Sequence, residues 1–127
     1  KYFFKKNQNL KLHFDSFHGY GNLDKAIEML DVKDKKDFKL FMETQNYYNR
    51  GNMFIIKNKK IMNDFYKTVF IWLERCEEIF GFKKENYGNT RIYAFLMERF
   101  ISYWFNKYSK VKIWPIAFYN INERSLN

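Results

Sequence analysis

Gly51-Asn52-Met53-Phe54-Ile55-Ile56-Lys57 carries the reading of the fold. Four apolar residues in a row, bounded by Gly-Asn on one side and Lys-Asn on the other, predict a short strand covered on both faces. Directly after it, Asn58 is placed to cap a long helix over residues 59–80. Ile61, Phe65, Val69, Trp72, Leu73, Cys76 and Ile79 recur there every three or four residues. Glu74, Glu77 and Glu78 face outward, and Gly81 supplies the stop. Beyond a loop through Tyr87-Gly88, a second helix is expected from Asn89 or Thr90 to about residue 107. It is hydrophobic nearly all round, so it should be buried.

Upstream the signals are shorter. Residues 1–21 mix aromatic, basic and glycine residues, with one short strand expected at 11–14. Asn22 is a candidate N-cap for a helix through residue 30, on the spacing of Leu23, Ala26, Ile27 and Leu30. Asp34 with Asp37 suggests the start of another, with Phe38, Phe41 and Met42 as its apolar stripe. Residues 45–51 read as a polar turn, and residues 111–119, broken by Pro115, as an edge strand. The expectation is an α+β fold, mostly helical with a few short strands. It forms one domain over residues 1–127 or a C-terminal subdomain of a larger chain.

A chain of 127 residues is long enough for one real core, which buries about two-thirds of the unfolded surface at this size. Aromatic residues make up 22% of it, more than an ordinary core uses. Either the interior is unusually aromatic or an apolar patch is exposed, of the kind that meets further chain, a second copy or a partner. The formal charge of +9 invites phosphates, an anionic membrane face or nucleic acid. The lysine pairs Lys5-Lys6, Lys35-Lys36, Lys59-Lys60 and Lys83-Lys84 are scattered instead of forming one stripe, which argues against a dedicated nucleic-acid surface. Cys76 is the one cysteine, so no internal disulfide forms, and its place on an apolar helical face marks it as a buried hydrophobe. With no run of about 18 apolar residues and no leader before Lys1, the chain reads as cytoplasmic.

Glu98 is the sharpest candidate for chemistry. Phe95, Leu96, Met97, Phe100 and Ile101 surround it in sequence, and a carboxylate among them needs a partner or a shifted pKa. It could act as general base toward an acceptor hydroxyl or bind sugar hydroxyls. It could equally close a structural salt bridge, with Arg99 as donor. Arg91 and Ser102 fall on its helical face, Arg91 being a candidate to orient it or to neutralise phosphate. Gly51 permits close backbone approach, and the Asn52 amide offers both donor and acceptor, so the pair is either a ligand contact or an ordinary turn. Asp15 and His18, with His13, form a loose polar cluster suited to a sugar or phosphate contact. Its spacing matches no compact zinc motif, and no metal ligands are assigned.

The stretches Tyr48-Asn49-Arg50-Gly51-Asn52-Met53-Phe54-Ile55-Ile56, residues 65–80, and Arg91-Ile92-Tyr93-Ala94-Phe95-Leu96-Met97-Glu98-Arg99-Phe100 together resemble one family. It is the glycosyltransferase-like family known as domain of unknown function 4422, from bacterial capsule, exopolysaccharide and lipopolysaccharide loci. His18-Gly19-Tyr20-Gly21-Asn22-Leu23-Asp24 is similar to its His-containing approach to an acidic helix. The resemblance covers roughly residues 10–119 and only the C-terminal part of the family's domain. The family's His-Tyr-Arg-Arg-Tyr-type motif is absent from the sequence. The resemblance implies a fold like the C-terminal half of a GT-A-like nucleotide-diphospho-sugar transferase. It also implies transfer of a sugar from a nucleotide-sugar donor to a glycan or lipid-linked acceptor. A divalent metal, peripheral association with the inner membrane face and a homo-oligomer are left open, and nucleic acid is not expected as a partner. Two other classes remain: a non-catalytic interaction domain, and a basic, aromatic-rich module for an anionic polymer.

Overall fold

Asn58 sets the first turn of the longest helix. Its side-chain oxygen accepts from the backbone N–H groups of Lys60 and Ile61 at 2.9 and 3.2 Å. The helix, α4 (Lys59–Phe80), buries Phe65, Val69, Trp72 and Cys76 and stops at Gly81, whose φ is +57°. Both ends are those the sequence predicts, and so is most of the buried face, except that Ile79 at its C-terminal end is exposed. The computed structural model describes residues 8–82, 86–115, 119–122 and 125–126. Three shorter helices precede α4: α1 (Leu10–His18), α2 (Asn22–Glu28) and α3 (Val32–Thr44). The one-turn α5 (Tyr87–Thr90) and the long α6 (Ile92–Tyr108) follow it.

Helices α4 and α6 run antiparallel. At one end Phe65 lies 5.4 Å from Trp104 and 4.8 Å from Phe105, ring centre to ring centre, and at the other the Tyr93 hydroxyl donates to the Gly81 carbonyl. The three N-terminal helices close over this pair. Trp72 of α4 donates its indole N–H to the Ala26 carbonyl of α2 at 2.7 Å, within a buried setting. Phe38 of α3 meets Trp72, Phe100 and Tyr103 at 5.8, 5.2 and 5.2 Å. Part of the aromatic surplus is therefore interior, and such ring pairs add to the area they bury. Phe17, Tyr20, Tyr47, Phe70, Phe82, Tyr87, Tyr108, Trp114 and Tyr119 are exposed.

The expected α+β fold is overturned, and with it the likeness to the C-terminal half of a GT-A-like transferase. Among the described residues the only strands are β1 (Tyr119–Asn120) and β2 (Ser125–Leu126), paired antiparallel with Tyr119 opposite Leu126. Residues 53–57 form no ladder. Phe54 turns inward to Phe65 and Phe105 at 6.0 and 5.7 Å, while Ile55 is 93% exposed. One face of this segment is covered and the other is bare, so the apolar run has no sheet to join. The strand expected at 11–14 is the middle of α1, which Asn9 caps through the Leu12 N–H and which buries Leu10, Phe14, Asp15 and His18. The inward face of α1 ends in polar residues, which hides its helical period. Residues 111–115 of the expected edge strand are unpaired, 116–118 lie outside the described residues, and only its last residue joins a ladder. Asp31, not Asp34, precedes α3, and Gly21, not Asn22, precedes α2. Among the described residues no helix is long and apolar enough to cross a membrane.

Candidate functional site

The segment before α4 is held by α6 side chains in place of a neighbouring strand. Glu98 and Ser102, one helical turn apart, accept from successive parts of its backbone. The Gly51 N–H donates to Glu98 Oε1 at 3.0 Å, and the Asn49 N–H donates to Ser102 Oγ at 2.6 Å. Asn49 closes the turn on itself by donating its amide to the Met53 carbonyl at 2.7 Å. Within the 3-10 turn Arg50–Asn52, Gly51 and Asn52 have φ of +74° and +54°. Glycine adopts this left-handed region freely, and asparagine is the residue next best suited to it. The Asn52 side-chain oxygen is enclosed and has no hydrogen-bond partner.

Arg99 organises the other side of Glu98. It is 1% exposed and donates to Glu98 Oε2 at 3.0 Å and to the Phe95 carbonyl at 3.3 Å. Its second terminal nitrogen lies 3.2 Å from His13 Nδ1, and its guanidinium sits 4.2 Å from the centre of the Tyr48 ring. The Glu98 side chain is 16% exposed. Glu98 thus closes the salt bridge foreseen as its structural role and also reaches the Gly51-Asn52 turn. The arrangement supports either role. An open groove of about 340 Å³ between α3 and α6, lined by Asp37, Phe41, Gln45 and Lys107, and a small one of about 40 Å³ beside Asn22 and Asn89 both lie elsewhere.

The remaining candidates are dispersed around this centre. Arg91 stands at the start of α6, bonded to the Tyr87 hydroxyl and stacked on the Tyr87 and Phe95 rings at 5.2 and 5.8 Å. Two helical turns separate it from Glu98, too far to orient the carboxylate directly. Asp15 is buried and paired with Lys11 at 3.6 Å, leaving one oxygen enclosed without a partner. His18 is buried beneath Phe95, the rings stacked at 4.2 Å, next to Gly88 of α5. His13 belongs with Arg99 and not with Asp15 and His18. Tyr48 is not among the sequence candidates: its place in a polar turn gives no sign that it stacks on a buried guanidinium. Among the described residues no three His, Cys, Asp or Glu side chains gather to hold a metal ion.

Burial, reinforced by the Arg99 charge, pulls both imidazoles down to about 4, with Arg50 adding to the effect at His13 and the Gly88 backbone partly opposing it at His18. Both rings are neutral at neutral pH. Neutral His13 can accept at Nδ1 from Arg99. When unfolded, the two would titrate near their ordinary 6.5, so between that pH and about 4 the unfolded chain holds more protons. The stabilisation is complete above the unfolded value and fades as pH falls through this window. Acidification from pH 7 to 4.5 should lower the unfolding free energy by about 2 to 3 kcal/mol, after discounting for partial solvent contact. Urea midpoints across the window measure it, and His18→Phe should remove roughly half the dependence. A flat wild-type profile would count against neutral buried imidazoles.

A helical domain whose α6 carboxylate pins a left-handed Gly-Asn turn is thus the class that fold and site define. The family model described as domain of unknown function DUF4422 matches residues 1–110, and the chain belongs to that family. No curated protein and no solved structure matches it in the same comparisons.

Proposed function

We propose that the chain is the helical, acceptor-contacting part of a glycosyltransferase of bacterial surface polysaccharide assembly, moving a sugar from a nucleotide-sugar donor to a glycan or lipid-linked acceptor. The family resemblance supplies the reaction class. The observation that carries the site is the enclosed, unpartnered Asn52 oxygen on a left-handed turn, beside a carboxylate with capacity to spare. Unsatisfied polar groups and sparsely populated backbone angles concentrate where ligands bind. A sugar hydroxyl is the matching donor for Asn52. Glu98 uses one acceptor site on each oxygen, for Gly51 and for Arg99, and a carboxylate offers about four. A remaining lone pair can take the proton of an attacking hydroxyl or bind that hydroxyl. Arg99 fixes Glu98 in direction through its hydrogen bond to Oε2.

The test is release of nucleoside diphosphate from a panel of nucleotide sugars, with a glycan acceptor, by the protein in its natural length. Glu98→Gln should lower kcat by roughly 100-fold or more if Glu98 is the base, read on protein that is still folded, since loss of the anion beside buried Arg99 also lowers the unfolding midpoint. Glutamine keeps an acceptor for the Gly51 N–H, so the turn should survive. Asn52→Ala should raise KM more than it lowers kcat. Normal turnover in folded Glu98→Gln would remove Glu98 from the chemistry, and no turnover with any nucleotide sugar would remove the transferase reading.

A further inference from the structure

The open groove between α3 and α6 is separate from the Glu98 cluster but lies on the same seam. Glu98, Ser102 and Asn106 follow one another at four-residue intervals and share a face of α6. The Asn49 N–H donates to Ser102 Oγ, and the Asn106 amide donates to the Ser102 carbonyl at 2.7 Å. The segment leaving α3 runs beside this stripe. It lines the groove at Gln45, meets Ser102 at Asn49 and meets Glu98 at Gly51. Eight residues of helix, about 12 Å, separate Asn106 at the groove from Glu98 at the turn.

The groove, of about 340 Å³, is selective in what it offers. Phe41 is partly buried, with its ring 6.0 Å from that of Tyr103, and Leu40 beside it is 57% exposed. Lys107, the one cation among the described residues that line it, is already engaged by Asp34, Asp37 and the Lys33 carbonyl. Hydrogen-bond acceptors are what remain. Asp37 uses Oδ2 on Lys107, Asn106 uses its amide N–H on Ser102, and Gln45 uses its amide N–H on the Thr44 hydroxyl at 3.4 Å. Each keeps an oxygen that can accept. Apolar surface with a few placed polar groups is the usual make-up of a ligand site. Here those groups disfavour an anion and match a neutral ligand rich in hydroxyl donors and apolar C–H faces.

We propose that this groove is a remote subsite for a neutral glycan chain whose reactive end lies at the Glu98 turn. An apolar sugar face rests on Phe41 and Leu40, and sugar hydroxyls donate to Asp37, Gln45 and Asn106. The separation sets the size of the ligand. About 12 Å is longer than one sugar ring, so an oligosaccharide is held at both ends of the seam and a monosaccharide at only one. That the glycan is the sugar acceptor rests on the transferase reading above; that the groove binds it rests on the groove's own chemistry.

The 127-residue chain is screened on an array of bacterial capsular and O-chain oligosaccharides with their constituent monosaccharides. Bound oligosaccharides, and uridine diphosphate as an anionic control, are then titrated into isotope-labelled protein and followed by NMR. The side-chain amides of Gln45 and Asn106 report the groove directly. The expected result is that neutral oligosaccharides shift both amides, while monosaccharides bind more weakly and the diphosphate leaves both in place. Gln45→Ala with Asn106→Ala should weaken oligosaccharide binding by about fivefold for each hydrogen bond lost. The unfolding curve should change little, since neither side chain is buried. No binding to any oligosaccharide, shifts confined to the Gly51-Asn52 turn, or equal shifts with the diphosphate would each overturn the inference. Binding at the groove without turnover of any nucleotide sugar keeps this inference and removes the transferase reading. Turnover by the natural-length protein, with a KM for long acceptors that the two alanine changes do not move, does the reverse.

Discussion

Asp34→Ala should lower the unfolding free energy by about 3 to 5 kcal/mol, the range for breaking a buried charged network by removing one partner. Asp34 lies in the first turn of α3 and is fully buried. A single oxygen, Oδ1, accepts from the Tyr103 hydroxyl at 2.8 Å, the Tyr108 hydroxyl at 2.7 Å and Lys107 Nζ at 3.1 Å. All three donors belong to the last two turns of α6, so this one atom fastens the start of α3 to the end of α6. Alanine would leave the Tyr103 hydroxyl to donate only to the Asp34 carbonyl at 3.4 Å, while it still accepts from Lys107 Nζ at 3.1 Å. Lys107 would keep Asp37 and the Lys33 carbonyl. Asp34→Asn retains an acceptor in place and should cost less, about 1 to 2 kcal/mol. Equilibrium urea unfolding of the three proteins at neutral pH decides. If alanine and asparagine cost the same small amount, the network is not what joins the two helices.

The same carboxylate gives an acid limit distinct from that of the histidines. Burial alone would raise its pKa, but the hydrogen bonds from Tyr108, Tyr103 and Lys107 outweigh burial and hold it below the ordinary 3.8. Its contribution is complete above the unfolded value and is lost as pH falls below it. Acid unfolding should therefore proceed in two windows, the imidazoles first between about 6.5 and 4 and Asp34 beneath them.

The sequence made the long helices legible because their signals are local. Asn58, Gly81 and the spacing of Phe65, Val69, Trp72 and Cys76 each act within α4, and the structure reproduces them all. What it misassigned depended on a partner elsewhere in space. The 53–57 run satisfies every local criterion for a strand, yet strand formation requires a neighbour, and here α6 side chains take the backbone N–H groups just ahead of it. The helix α1 was misread because its inward face ends in Asp15 and His18, buried polar residues that break the apolar stripe. Glu98 and Asn52 were legible as unusual residues, and the structure brings them to one turn. Arg91 was placed with Glu98 on periodicity alone, and the Tyr87 and Phe95 rings hold it at the far end of the helix. The pairing of Arg99 with Tyr48 and His13 spans α1, the pre-α4 segment and α6, a combination that spacing along the chain cannot show.

Arg99→Ala is the second substitution with a large expected effect, and it separates the structural work of this cluster from its chemistry. Arg99 is among the largest fully buried side chains, and its guanidinium is shared between the Glu98 carboxylate, the Phe95 carbonyl, His13 and the face of Tyr48. Truncation opens a cavity between α1 and α6 and leaves a mostly buried carboxylate without its cation. Each change is destabilising, and together they should lower the unfolding free energy by about 3 to 5 kcal/mol. Arg99→Met fills more of the space with an unbranched side chain and should cost less than alanine. Combining it with Glu98→Gln removes both charges and should cost less than the sum of the two single changes. Additive losses in that double-mutant cycle would mean that Glu98 and Arg99 do not depend on each other, and Arg99 could then not be what keeps Glu98 aimed at the Gly51-Asn52 turn.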